Sequence, residues 1–166
     1  KNSKFNFLKI IRLGETMTPK ESVDNFLSDK NFAVVGVSRK SSKFGNTIYK
    51  ELKKKGINVF GVNPNMDTIE GDKCYHSLKE LKGKIDGVVN VVSPDQTNEI
   101  VKDANEIGVK NIWMQQGSES EKAIAYCNEH GITVIQKECI LMFVDPVNSI
   151  HGFHKWLWKV LGKLPK

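Results

Sequence analysis

The sequence has no stretch approaching the ~20 apolar residues a membrane-spanning helix needs. It has only three cysteines, Cys74, Cys127 and Cys139, at irregular spacings. The first shortage argues against a membrane role. The second excludes a disulfide-stapled scaffold and makes a reducing cytoplasm the expected compartment. Metal-ligand spacing is missing too: Cys127 with His130, and His151 with His154, form no compact finger-like set, so no metal is expected. Nucleic-acid recognition would use interleaved aromatic platforms or a reading helix, and neither is present. The opening "KNSKFNFLKIIRLGE" sets basic residues inside its short apolar run and lacks a small-residue cleavage site, unlike a secretory signal. Residues 1–16 are read as a leader or non-native extension, and 17–166, from "MTPKES", as a single domain.

What is present is ordinary for a globular chain: 166 residues, 39% apolar and 27% charged, enough for one core. A net charge of +6 favours anionic partners without separating nucleic acid from a phosphorylated metabolite. The basic run Lys50–Lys55 reads as a solvated helix face.

One cadence recurs. In "KKKGINVFGV", "NEIGVKNIWM" and "NEHGITVI" a helical pattern ends at glycine and a β-branched run follows, as where a left-handed helix end feeds a buried strand. Helix starts are read at Thr18, Ser93 and Ser118, each a hydroxyl three residues before Glu or Gln, with Pro19 and Pro94 at the first helical position. The pattern predicts helices over 19–29, 45–55, 94–107, 119–130 and 149–162, and strands over 32–37, 57–62, 87–92, 110–114 and 132–135. Strands alternating with helices imply an α/β fold: a doubly wound, three-layer, mostly parallel sheet of five strands in the order 3-2-1-4-5. Segment 63–86 breaks the rhythm and is read as an irregular crossover near a ligand.

Ligands of open α/β sheets bind beyond the carboxyl ends of the strands. Four such ends carry small, polar or proline residues: Gly36-Val37-Ser38-Arg39, Val62-Asn63-Pro64, Val92-Ser93-Pro94 and Gln115-Gln116-Gly117. The first opens a long loop, "GVSRKSSKFG", suited to phosphate. Gly36 and Gly45 allow close backbone approach, helix N–H groups around Asn46 and Thr47 face an anion, Ser38, Ser41 and Ser42 offer hydroxyls, and Arg39, Lys40 and Lys43 offer charge. The dinucleotide fingerprint is not met: G-x-G-x-x-G is absent, and Asn63-Pro64 stand where an acidic residue would hold the ribose. NAD is disfavoured; NADP, whose 2′-phosphate could meet Arg39 or Lys43, is less clearly excluded.

Together "VVGVSRKSSKFGN", "GVNPN", "IEGDKCYHSL", "IDGVVNVVSP" and "NIWMQQG" resemble the small bacterial and archaeal CoA-binding proteins. These are similar to the CoA-binding domain of the succinyl-CoA synthetase α subunit. The resemblance covers about Asn31 to Cys139. It implies a Rossmann-like domain holding coenzyme A. By motif, the diphosphate would lie on Ser38, Arg39, Lys43, Phe44, Gly45 and Asn46. The adenosine would rest near Asn63 and Pro64. The pantetheine arm would pass Val92, Ser93 and Pro94 towards Gln116 and Gly117. The synthetase's second domain, with its phosphorylated histidine, does not fit in a chain this short, so ligase chemistry is not implied and catalysis is not expected.

The leading reading is thus a carrier or regulatory CoA- or acyl-CoA-binding module. The alternatives are a small NAD(P)-using oxidoreductase, with Tyr75 or His76 as the nearby proton carriers, and a redox or acyl-CoA sensor in which Cys139 contacts the bound thiol. The tail "HGFHKWLWKVLGKLPK" has an apolar helical stripe that suits packing on its own sheet, a second copy, a partner protein or, last, a membrane surface.

Overall fold

The structure, a computed structural model, describes residues 20–144. The leading extension and the tail helix of the sequence reading lie outside the described residues. The chain order is α1 (Lys20–Ser28), β1 (Asn31–Val35), α2 (Phe44–Lys54), β2 (Asn58–Val62), β3 (Thr68–Ile69) and β4 (Asp72–Tyr75). After a short 3-10 helix (Leu78–Leu81) come β5 (Gly87–Asn90), α3 (Pro94–Glu106), β6 (Asn111–Gln115), α4 (Glu121–Glu129) and β7 (Thr133–Glu138).

The strands form one sheet in the order β3-β4-β2-β1-β5-β6-β7. All neighbours are parallel except the β3–β4 hairpin. The α/β, doubly wound architecture is as expected, but the sheet has seven strands rather than five. The five anticipated strands run 2-1-3-4-5 instead of 3-2-1-4-5. The place assigned to 87–92 is taken by β4, inside the segment read as irregular. With β4 counted third, the six parallel strands run 3-2-1-4-5-6. β3 has only two residues, and β4, Asp-Lys-Cys-Tyr around the same Glu70–Gly71 turn, lacks the apolar run that marks a buried strand.

Strand alternation divides the core between two faces. Phe32 and Val34 of β1 face the layer of α1 and α2, where Val23, Phe26, Ile48 and Leu52 are buried. Ala33 and Val35 face the layer of α3 and α4, with Val101, Ala104, Ala123 and Cys127. On α3 the buried Thr97, Val101 and Ala104 follow the helical period. Gly56, Gly108 and Gly131, the cadence glycines, each sit just past a helix with positive φ.

The capping details differ from expectation. Ser93 is the N-cap of α3 with Pro94 beside it, but its hydroxyl bonds the Gln96 side chain at 3.1 Å and not a backbone N–H. Ser120, two residues beyond the predicted cap, accepts the Ala123 N–H of α4. Ser118 is instead buried, its hydroxyl donating to backbone carbonyls of Gln115 and Asn90. A complete capping box closes the 3-10 helix at Ser77 and Glu80.

The basic run on α2 is neutralised locally. Lys50 pairs with Glu70 at 2.9 Å, Lys53 with Asp72, and Lys54 with Glu51 at 2.9 Å. Tyr49 donates to Asp72 at 2.7 Å. These contacts fasten the β3–β4 hairpin to α2. Among the described residues no helix is long and apolar enough to cross a membrane.

Candidate functional site

The carboxyl ends of β1, β2, β4 and β5 open into one groove of about 620 Å³. Its centre is the turn after β1. Gly36 there has φ +108°, and a β-carbon on it would come 3.1 Å from the Val91 carbonyl carbon. Gly45 opens α2 directly against that turn: a β-carbon would stand 2.3 Å from the Gly36 carbonyl oxygen. The two glycines let helix and strand end meet, the role the glycines of a dinucleotide loop play at different spacing.

Asn46, 1% exposed, braces the loop between them. Its Oδ1 accepts the Ser38 N–H at 2.7 Å, and its Nδ2 donates to the Ser38 carbonyl at 2.7 Å and the Lys40 carbonyl at 3.4 Å. The side-chain amide is thereby committed to the loop. The N–H groups of Asn46 and Thr47 both donate to the Lys43 carbonyl. The first helical N–H groups, those of Phe44 and Gly45, are the ones helix geometry leaves without an intrahelical acceptor. Lys43, at the N-cap, and Ser38 line the groove. Ser41 and Ser42 are exposed and do not line it.

The β2 end is tied to this loop. Asn63 donates through Nδ2 to the Val37 carbonyl at 2.6 Å and accepts the Asn65 N–H at 2.8 Å. Arg39 reaches across to donate to the Asn65 carbonyl. Pro64 and Asn65 complete this wall.

A second cavity of about 280 Å³ shares Val91, Val92 and Ser93 with the groove and continues to Phe44, Gln115, Gln116 and Gly117. Phe44 is the exposed large hydrophobic among the described residues, at 40%. Gly117 donates its N–H to Glu119 at 2.7 Å, and the other oxygen of that carboxylate accepts the Lys137 N–H at 2.9 Å. The β5 and β6 ends are cross-linked below by buried groups. Asn90 Nδ2 donates to Thr97 Oγ1, and Thr97 Oγ1 to the Ser118 carbonyl, both at 2.7 Å.

Two titratable groups lie just past this cavity. Burial pushes the Cys139 thiol up, partly offset by the Gln115 side chain that hydrogen-bonds it. Glu138 is buried, and desolvation pushes its carboxyl up to about 7. Its Oε2 has no hydrogen-bond partner among the described residues.

The structure therefore gathers Gly36, Val37, Ser38, Lys43, Asn63, Pro64, Val92 and Ser93 at one groove, with Phe44, Gln116 and Gly117 at its extension. Gly45 and Asn46 lie beneath as framework, and Arg39 spans one wall. Pro94 starts α3 outside both linings, and Cys139 sits one side chain beyond, behind Gln115. His76, weighed from the sequence as a proton carrier, lines the far wall of the groove; sequence reasoning missed its neighbours there, Ser77 and Leu78 after β4, and Gln96, Glu99, Ile100 and Asp103 on α3. The signal available for Ser77 and Leu78 was the break in rhythm over 63–86. Tyr75 lies elsewhere, edge-on to Phe60 and beneath Lys73. Among the described residues no cluster of three or more His, Cys, Asp or Glu could hold a metal.

The chain is similar to the Bacillus subtilis protein YneT, at 35% identity over 112 residues covering 67% of this chain and 82% of that one. A conserved hypothetical protein from Pyrococcus furiosus shares its fold with a TM-score of 0.65 and 41% identity, covering 67% of this chain and 96% of that chain. It is also 27% identical to the α subunit of an ADP-forming acetate–CoA ligase II of Pyrococcus furiosus, over 71% of this chain but only 28% of the ligase subunit. Residues 30–145, which contain both cavities, match the CoA binding domain family. The chain belongs to that family, and its cofactor is coenzyme A.

Proposed function

We propose that the groove and its extension hold coenzyme A or an acyl-CoA, and that the protein is a non-catalytic cytoplasmic carrier or regulatory module. The observation that carries this reading is the Gly36–Gly45 junction. It presents helix N–H groups, Ser38 and Lys43 at the midpoint of a groove whose two arms differ in character. Anions favour such a helix start because its amide dipoles point outward. The diphosphate lies there, with Arg39 nearby and Asn46 shaping the loop. The adenosine takes the arm of Asn63 and Pro64. The pantetheine crosses Val92 and Ser93, by the start of α3 at Pro94, towards Gln116 and Gly117.

The chain spans about a quarter of the ligase subunit it resembles, so ligase chemistry is not assigned to it. The nicotinamide alternative is weakened by Asn63 and Pro64 at the β2 end, where a ribose-binding carboxylate would belong. Calorimetry with CoA, acetyl-CoA, NAD and NADP tests the ranking. Micromolar binding of CoA or acetyl-CoA with no nicotinamide binding is expected; tight nicotinamide binding with indifference to CoA overturns it.

A second reading, the Cys139 sensor, draws support from the contact of that thiol with Gln115, which lines the cavity assigned to pantetheine. Burial opposes it by keeping the sulfur a thiol, the unreactive form. Exposure to oxidised CoA disulfide followed by mass spectrometry separates them: a CoA adduct on Cys139 supports the sensor, and its absence rejects it.

A further inference from the structure

We infer that His76, braced by Asp67, is a proton-linked contact for the ribose 3′-phosphate of coenzyme A. The inference rests on the placement of adenosine given above. His76 lines the groove at the start of the 3-10 helix, and its backbone N–H is fixed by Glu80 at 2.8 Å. Its ring Nε2 lies 3.0 Å from Asp67 Oδ1. An ionised carboxylate only accepts hydrogen bonds, so Nε2 carries the hydrogen and Nδ1 is the ring atom left for a ligand. In the neutral ring Nδ1 presents a lone pair to a phosphate; once protonated it donates. An anion held there takes up a proton.

The surroundings favour that corner for a phosphate. Arg39 arrives from the β1 loop and is anchored on the Asn65 carbonyl, which belongs to the same wall. Lys43 stands at the start of α2. On the α3 wall the groove presents Glu99, paired with Lys102 at 2.8 Å, and Asp103, paired with Lys79 at 3.5 Å. Those carboxylates direct a phosphate away from α3. Asp67 and Glu80 are the anions on the His76 side; Asp67 occupies the far ring nitrogen. Of the phosphates of CoA, the 3′-phosphate is the one carried by the ribose at this end. NAD lacks it, and NADP carries its extra phosphate on the 2′ oxygen.

The test is calorimetry of the full chain with CoA and dephospho-CoA at about pH 6 and about pH 8, either side of the ordinary imidazole range. Wild type, His76→Ala and Asp67→Asn proteins are compared. The second ionisation of the phosphate, near 6, acts in the opposite direction, so the readout is the CoA-over-dephospho-CoA preference of wild type relative to His76→Ala. A relative gain of about five-fold is expected at the lower pH and none at the higher, the size of one partly exposed charge-assisted contact. Asp67→Asn is expected to shrink the gain. CoA binding by both proteins with the same preference at both pH values overturns the inference. Failure of wild type to bind CoA at all overturns the underlying reading of the groove instead.

Discussion

Gly45 and Gly36 meet so closely that a β-carbon on Gly45 would lie 2.3 Å from the Gly36 carbonyl oxygen. No side chain can share that space without moving helix from strand. The contact sets the distance between the start of α2 and the end of β1, and so the shape of the loop that lines the groove.

Gly45→Ala is therefore expected to be destabilising by about 2–4 kcal/mol, because the obstructing atom is backbone and cannot swing aside. Denaturant melts check the stability. CoA binding is expected to fall even at temperatures where the variant stays folded.

Asn46→Ala removes both partners of Ser38 together with the brace on Lys40. Leaving those backbone groups poorly satisfied costs about 2 kcal/mol. The loop should then loosen, seen as faster amide exchange over residues 37–43, and CoA affinity should drop by about tenfold or more. Unchanged exchange would show that the loop holds its shape without this amide.

Lys43 and Arg39 are expected to separate in their ligand dependence. Lys43→Ala should weaken CoA and dephospho-CoA alike, by roughly tenfold for a lost charge-assisted contact to the diphosphate. Arg39→Ala, at the Asn65 corner, should weaken CoA more than dephospho-CoA. Equal losses for Arg39 would move it to the diphosphate.

Glu138 gives a pH prediction. Its folded pKa is raised from 4.5 to about 7 by burial, so between those values the folded protein holds a proton that the unfolded chain has released. Stability therefore falls as pH rises from about 4.5 to about 7, reaching a penalty on the order of 2–3 kcal/mol above that window. In Glu138→Gln this contribution should vanish, leaving a flatter melt-versus-pH profile above about pH 5. An unchanged profile would mean that the carboxylate is solvated in solution.

Much of this molecule was legible before its fold was known. The cadence at Gly56, Gly108 and Gly131 marked three helix ends because a left-handed residue is a local requirement. The β-branched runs marked five of the six parallel strands because burial on both faces leaves a compositional trace. The loop from Gly36 to Gly45 stood out by its glycines, length and charge, and its Ser38 and Lys43 line the groove. Ser118 was misread as a cap because serine suits a helix start and a buried cross-link equally. Whether its hydroxyl meets the helix or Asn90 depends on a strand 28 residues away.

Sequence by itself thus determined the four α-helices and five of the seven strands of the described residues, since those properties follow from backbone preference and side-chain type at adjacent positions. Only tertiary structure decided the rest. The β3–β4 hairpin took the place beyond β2 through contacts with Tyr49 and the lysines of α2. Asn46 became a brace, and His76, with the carboxylates of α3, was brought to the far wall of the groove. Each of these depends on pairing between distant residues, and strand order and groove walls leave no periodic mark in the chain.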